Sequence, residues 1–189
     1  FTPLFRNHSA LGTRDQELYC FDNVNAAAEM IKIRYCLIPY LYSEYLRAAL
    51  NDEMMFKPLS FDLPDDDMAK QVDDQLLLGN ELMIAPVYKQ NAKGRYVYLP
   101  EEMMAVRMKS CKNIKTEILS KGHHYVDSEL DELVFFIRKD KAIPFGKPVK
   151  NTSEIDLSDL KLIGYEGCHY EMYSDDGFSP VLEDSLKKT

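Results

Sequence analysis

Apolar and polar residues divide the N-terminal quarter of the chain into three segments. The apolar run Phe1–Phe5 predicts a short strand, and the polar stretch Arg6–Gln16 has the composition of a loop. From Val24 to Leu50 apolar residues recur at three- and four-residue intervals, which predicts a long helix. Pro39 lies inside this helix and has no backbone N–H to donate, so we expect the helix to be kinked or divided there.

The predicted helix has an apolar face whose members follow helical spacing. These residues are Ile31, Tyr35, Ile38, Tyr42, Tyr45 and Ala49. A face of this kind packs against another element, so the strand, the loop and the helix form one strand–helix unit that needs further neighbours.

Short apolar runs separated by polar turns follow from Phe56 onward. Their spacing of roughly ten residues is typical of an antiparallel β-sandwich. The runs Leu82–Val87 and Tyr96–Leu99, joined by a turn at Asn91–Gly94, predict a hairpin. Proline and glycine residues in Ala142–Ser153 predict a linker between two β-subdomains.

The chain has 189 residues, which corresponds to one or two domains. Its 23 Lys and Arg against 31 Asp and Glu give a net charge of −8. This acidic balance argues against broad binding to nucleic acid or to membrane surfaces, since both attract clustered positive charge. No apolar run reaches the ~20 residues that a membrane-spanning helix requires. We therefore expect no nucleic-acid partner and no membrane partner.

Four cysteines, Cys20, Cys36, Cys111 and Cys168, lie far apart at irregular intervals. Because none forms a Cys-x-x-Cys pair, the pattern favours buried free thiols over a disulfide framework or a zinc site. A reducing, cytoplasmic setting is the localisation that this pattern indicates. The chain begins with Phe1, inside the predicted strand, so we expect it to be part of a longer protein.

The tripeptide Arg6-Asn7-His8 is the candidate for ligand binding. It follows the first predicted strand, and in a (β/α)8 barrel the loops after the strands carry the active site. Arg and His donors in such a loop can hydrogen-bond sugar hydroxyls. The alternative is that Arg6 pairs with a carboxylate and His8 with a backbone carbonyl. The tripeptide alone favours this simpler interpretation.

Two other groups admit a metal interpretation. His123 and His124 with Asp127 offer ligand atoms, but adjacent histidines in a strand point to opposite faces, so surface turn residues are favoured. The segment Asp175–Gly177 has two carboxylates but lacks the further oxygen ligands of a calcium loop, so a hairpin turn is favoured. We expect no metal and no cofactor.

Several segments occur in an order that is typical of one enzyme family. After Phe1–His8 these segments are Arg34–Tyr42, Lys57–Leu59, Phe61–Asp66, Asp74–Leu82, Ala85–Val87, Tyr96–Pro100 and Tyr173–Gly177. In this order they resemble the C-terminal portion of glycoside hydrolase family 31, the family of α-glucosidases and α-xylosidases. The resemblance covers nearly the whole chain.

The resemblance implies an α+β fragment made of three parts. Residues 1–52 would be the last strand–helix unit of a (β/α)8 TIM barrel, the catalytic barrel of the family. Residues 53–144 would be a proximal antiparallel β-sandwich, which is a C-terminal domain, and residues 145–189 a truncated distal β-subdomain.

The resemblance also implies a function, that of a retaining α-glucosidase that releases terminal α-linked glucose from oligosaccharides. Retaining enzymes use two carboxyl groups about 5–5.5 Å apart. Both family aspartates lie on earlier barrel strands, upstream of Phe1, so no catalytic residue is expected here and the fragment alone should be inactive. His8 matches the family histidine that contacts the sugar in the −1 subsite. Arg6 matches a neighbouring arginine of the same motif.

The expected ligand of the parent enzyme is an oligosaccharide. The helix face at Ile31, Tyr35 and Ile38 would rest on the barrel of the parent, so in this chain we expect it to be exposed and to support self-association. A function of a different class stays open, that of a free-standing carbohydrate-binding or structural β-module. Carbohydrate-binding modules typically present aromatic side chains on a sheet face, whereas tyrosines of this chain cluster on the predicted helix.

Overall fold

One long helix and a series of antiparallel strands make up the chain. The computed structural model describes residues 1–2, 4, 6–179 and 185–189. The helices within these residues are α1 (Val24–Asn51) and α2 (Leu59–Asp62), with 3-10 turns at Leu18–Cys20, Ala69–Gln71 and Thr152–Glu154. The strands are β1 (Phe56–Pro58), β2 (Leu76–Leu78), β3 (Leu82–Ile84), β4 (Gly94–Leu99), β5 (Met103–Ser110), β6 (Asn113–Leu119), β7 (Gly122–Asp127), β8 (Leu133–Arg138), β9 (Ala142–Phe145), β10 (Lys161–Gly164), β11 (Tyr173–Ser174) and β12 (Lys187–Lys188).

The largest sheet of the described residues has six strands in the order β1-β2-β3-β8-β5-β6. Every neighbouring pair in it is antiparallel. Two-stranded antiparallel ribbons are formed by β4 with β7, by β9 with β10 and by β11 with β12. No described helix is both long enough and apolar enough to cross a membrane.

Both faces of the six-stranded sheet are covered, because side chains alternate along each strand. On β8, Phe135 and Ile137 pack in the cluster that contains the buried side of α1, whereas Phe136 packs with the ribbon β4–β7. On β3, Leu82 and Met83 divide in the same way. The result is three layers, helix, sheet and ribbon. The expected α+β class with an antiparallel β-sandwich is confirmed.

Helix α1 has two apolar sides, and the sheet covers the one that the sequence pattern did not identify. Its buried residues are Ile33, Cys36, Leu37, Pro39, Tyr40, Leu41, Ser43, Glu44 and Leu46. On the face identified from the sequence, Tyr42 is 39% exposed and Tyr45 is 56% exposed. Helical periodicity detects an apolar side, but it does not tell which of two such sides the rest of the chain will cover.

Of the two outcomes expected at Pro39, a kink or a division, the division does not occur, since α1 continues from Val24 to Asn51. Residues on both sides of the proline, such as Ile33 and Leu46, are buried. Near the proline the Cys36 carbonyl accepts a hydrogen bond from the Gly146 N–H at 2.8 Å. Packing of both halves therefore outweighs the donor that the proline removes.

Of two further expectations from the β-region, the hairpin is wrong and the linker differs from the structure at its first four residues. Strands β3 and β4 do not form a hairpin, because β3 pairs with β2 and β8 while β4 pairs with β7. The predicted linker Ala142–Ser153 begins with the strand β9, whose four residues are all buried. Strand pairing depends on contacts that are distant in sequence. A proline is tolerated in a short strand at a position where no backbone N–H donor is needed.

The strand predicted at residues 1–5 is not present at Phe1, Thr2 and Leu4, and Pro3 and Phe5 lie outside the described residues. Side chains hold this segment instead. The Phe1 ring meets the Phe135 ring edge-on at 5.7 Å, and Arg34 Nη1 donates to the Thr2 carbonyl at 2.5 Å.

Candidate functional site

Arg6 and His8 lie together on the exposed loop that precedes α1. Arg6 Nη2 donates to His8 Nδ1 at a distance of 2.7 Å. A guanidinium can only donate, so Nδ1 must accept and the proton of the neutral imidazole lies on Nε2. The arginine thus orients the ring and assigns its tautomer, which leaves the Nε2–H as the group that can donate to a ligand hydroxyl.

The loop around this pair is held by local hydrogen bonds. The Asn7 side chain donates to the Gln16 carbonyl, and Thr13 Oγ1 donates to the Ala10 carbonyl at 2.8 Å. The contacts of the simpler interpretation, a carboxylate on Arg6 and a carbonyl on His8, do not occur among the described residues. The binding role of both residues stays a prediction.

An exposed acidic group lies in the same loop and was not identified from the sequence. Potential ligand atoms of Asp15, Glu17 and Cys20 lie within 4.8 Å of one another. Desolvation by neighbouring atoms, followed by the charges of Glu17 and Asp15, raises the pKa of the exposed Cys20 thiol. Exposed acidic groups of this kind are common without a bound metal ion, so the arrangement does not by itself indicate a metal site.

The histidine pair is divided between the two sides of β7. The His123 ring lies 5.1 Å from the Tyr98 ring, whereas His124 Nε2 donates to the Ser120 carbonyl at 2.7 Å. Asp127 pairs with Arg107 at 3.0 Å. Both histidines are in a strand rather than in the expected turn, and the structure does not bring them together.

The segment Asp175–Gly177 uses its carboxylates to bind its own backbone. Asp175 accepts from the Gly177 N–H, and Asp176 accepts from the N–H groups of Phe178 and Ser179, all at 2.9 Å. The Ser179 hydroxyl also donates to Asp176. This bond has the largest effect, and together with the two backbone N–H bonds it lowers the pKa of Asp176. The segment begins the connection between β11 and β12, which fits a turn rather than a cation site.

A buried ionic cluster lies elsewhere, between α1 and the turn joining β2 to β3. Arg47 Nη1 lies 3.3 Å from a Glu44 oxygen and 3.5 Å from a Glu81 oxygen. Tyr170 donates to Glu44 at 2.5 Å, and Tyr40 donates to the Leu78 carbonyl at 2.5 Å. Burial, and after it the charge of Glu81, raises the pKa of Glu44 to about 7.

This cluster has a structural role, because the carboxylates of Glu44 and Glu81 are buried and inaccessible to a ligand from solvent. The sequence analysis missed it. The available signal was Glu44 followed three residues later by Arg47, an ion pair interrupting an otherwise apolar stretch of helix.

Two family profiles match the chain. Residues 1–44 match the profile described as "Glycosyl hydrolases family 31 TIM-barrel domain". Residues 52–143 match the profile described as "Glycosyl hydrolase family 31 C-terminal domain".

Individual relatives agree with the profiles. The chain is 30% identical over 184 residues to alpha-glucosidase 2 of Bacillus thermoamyloliquefaciens, covering 94% of this chain and 22% of that protein. It is 26% identical over 187 residues to the alpha-xylosidase of Saccharolobus solfataricus, covering 97% of this chain and 25% of that protein. A family 31 dextranase from Flavobacterium johnsoniae, solved with isomaltotriose, has a similar fold with a TM-score of 0.67 at 24% identity, over 84% of this chain and 20% of that one. The chain therefore spans between a fifth and a quarter of the length of these relatives.

Proposed function

The chain belongs to glycoside hydrolase family 31, and from that premise we propose that it is the C-terminal part of a retaining α-glucosidase. In this proposal the longer enzyme hydrolyses terminal α-linked glucose from oligosaccharides. Residues 1–52 complete the catalytic barrel, residues 53–144 form the proximal sandwich, and residues 145–189 form a distal subdomain. We also propose the reducing, cytoplasmic setting that the cysteine spacing indicates.

The observation that carries the proposal for the site is the contact of 2.7 Å between Arg6 and His8. The contact orients an exposed imidazole so that its Nε2–H can donate to a hydroxyl of the sugar. Arg6 acts through His8, as a positioning residue. Both catalytic carboxylates would come from the part of the enzyme that precedes Phe1.

Two measurements test the assignment as a C-terminal part. Purified chain of these 189 residues should not turn over an aryl α-glucoside, and turnover above the level of a mock purification would refute the proposal. The gene should encode a barrel ahead of Phe1, with one aspartate at the end of a strand and a second aspartate further along. A gene without such a barrel would also refute the assignment.

The role of His8 is tested in the full-length product of the gene. His8→Ala should lower kcat/KM for an α-glucoside about tenfold, which corresponds to the loss of one hydrogen bond. His8→Gln keeps an N–H at a similar distance and should restore part of the loss. The matched control is His123→Ala, which removes an exposed histidine from β7. An unchanged kcat/KM in His8→Ala would contradict the binding role.

One observation favours the alternative of a carbohydrate-binding module. Tyr96 and Tyr125 pair across β4 and β7 with ring centroids 5.3 Å apart, and they are 71% and 57% exposed. Aromatic faces on a ribbon can stack on sugar rings. Binding of maltooligosaccharides by the isolated chain that is lost in Tyr96→Ala and retained in His8→Ala would support the module.

Self-association through the outward face of α1 stays part of the proposal. The exposed tyrosines Tyr42 and Tyr45 stack with their centroids 6.3 Å apart, and they add apolar area to that face. Sedimentation velocity of the chain should detect an oligomer that Tyr45→Glu dissociates. A monomer at all concentrations would contradict this part.

A further inference from the structure

We propose that Cys36 and Cys111 form a dithiol site that a small disulfide oxidises to an intramolecular bond between α1 and the β5–β6 turn. The two Sγ atoms lie 3.2 Å apart although the residues are 75 positions apart in sequence. Cys36 is buried on α1, and Cys111 is half-buried immediately after β5. This inference is independent of the glycosidase assignment.

The geometry requires little movement. The sulfur atoms of a disulfide are ~2.05 Å apart, so these two atoms must approach by about 1.2 Å. Cys111 packs directly against the core cluster to which Cys36 belongs, and α1 packs on β5. The two side chains therefore start in contact, and bond formation has to close a gap of about 1.2 Å between their sulfur atoms.

The two thiols differ in a way that assigns their roles. The hydrogen bond from the Cys36 thiol lowers the pKa of Cys111, while the same contact and burial raise the pKa of Cys36. Burial and the charge of Glu29 oppose this lowering of the Cys111 pKa, and the charge of Lys32 adds to it by a smaller amount. Cys111, the more accessible of the two, is thus the attacking thiolate and Cys36 is the resolving thiol.

The oxidation has two balanced steps, with oxidised glutathione as the oxidant. The Cys111 thiolate attacks one glutathione sulfur, which forms a mixed disulfide and releases one glutathione thiolate. The Cys36 thiol gives up its proton to that leaving thiolate, and its sulfur attacks Cys111 Sγ, which expels the second glutathione thiolate. The second thiolate takes up from solvent the proton that Cys111 had released on ionisation. Two protein thiols are oxidised and one glutathione disulfide is reduced to two glutathione thiols.

The bond would join the segment that matches the barrel profile to the segment that matches the C-terminal-domain profile. A cross-link that closes so long a loop restricts the unfolded chain. We expect it to raise the Tm by about 5–15 °C. Two further cysteines, Cys20 and Cys168, lie outside the site. Replacing both by serine gives a variant in which only Cys36 and Cys111 can react.

The experiment compares the variant Cys20→Ser/Cys168→Ser with the same variant carrying Cys111→Ser in addition. After treatment with oxidised glutathione, the first protein should lose two hydrogen atoms in its mass and yield a tryptic peptide linking residue 36 to residue 111. Its Tm should rise, and dithiothreitol should reverse both changes. The protein with Cys111→Ser should show neither change.

Several results would overturn the proposal. They are a mixed glutathione disulfide that persists on Cys111, a chain with no linked peptide, and a Tm increase that also occurs with Cys111→Ser. If the serine background folds poorly, peptide mapping of the unmodified chain gives the same decision, because trypsin separates all four cysteines into different peptides. A linkage of residue 36 to residue 20 or 168 in that map would also count against the site.

Discussion

Glu44 provides a direct test of the buried ionic cluster through its response to pH. Its side chain is nearly inaccessible, at 2% exposure for the residue, and Arg47 Nη1 lies 3.3 Å from a Glu44 oxygen and 3.5 Å from a Glu81 oxygen. Replacing Glu44 by Gln keeps the shape of the side chain and removes its charge. The variant therefore represents the protonated glutamate at every pH.

The direction of the pH dependence follows from the pKa of Glu44 in the folded and in the unfolded chain. The pKa of Glu44 is about 7 in the folded protein, against an ordinary value of 4.5. Below the ordinary value the carboxyl is protonated in both states, and its stabilising contribution is fully present. As the pH rises toward 7 the unfolded chain releases the proton while the folded chain still holds it, so the contribution is lost. A difference of two to three pKa units corresponds to about 3 kcal/mol.

The assay is urea unfolding of the original protein and of Glu44→Gln at several pH values between 4 and 8.5. The free energy of unfolding of the original protein, minus that of the variant, should fall by about 3 kcal/mol across this range. Glu117→Gln on β6 changes an exposed glutamate and provides the baseline. A difference that is flat, or that rises with pH, would refute a buried Glu44 whose pKa is raised in the folded protein.

Two other substitutions test single contacts. Gly79→Ala should lower the free energy of unfolding by about 3–5 kcal/mol, because Gly79 has a φ of +65° and a Cβ there would overlap the Glu44 carboxylate. Gly167→Ala, at a φ of +76° with open space around it, should cost only about 1–2 kcal/mol. Gln75→Leu should cost about 2–4 kcal/mol, because the buried amide of Gln75 bonds both the N–H and the carbonyl of Tyr98 at 2.8 Å.

Urea unfolding measures these changes as well, and each has a result that would contradict it. Equal costs for the two glycine substitutions would mean that the approach of Glu44 to Gly79 is not tight. For Gln75→Leu the control is Gln71→Leu, whose exposed side chain donates to the Asp67 carbonyl. Equal losses of unfolding free energy in Gln75→Leu and Gln71→Leu would contradict a structural role for Gln75.

Local patterns predicted the long helix and many of the strands. The helix from Val24 has its apolar spacing within a single segment, and the strands β3 and β4 coincide with the short apolar runs Leu82–Val87 and Tyr96–Leu99. The ionic cluster could not be predicted in the same way, since Glu44 and Glu81 come from different elements. Arg6 and His8 are close in sequence, so their proximity was foreseeable, but the direct bond between them was not.

The amino-acid sequence by itself determined the order of the elements, the family and the position of the candidate loop, because each depends on residues that are neighbours along the chain. Tertiary structure decided which side of α1 is buried, that β4 pairs with β7 instead of β3, and that Cys36 meets Cys111. The physical reason is that these outcomes depend on competition among distant surfaces for the same partner. When one apolar side of α1 is buried against the sheet, the other side cannot be buried there, and the local sequence pattern does not predict which side it will be.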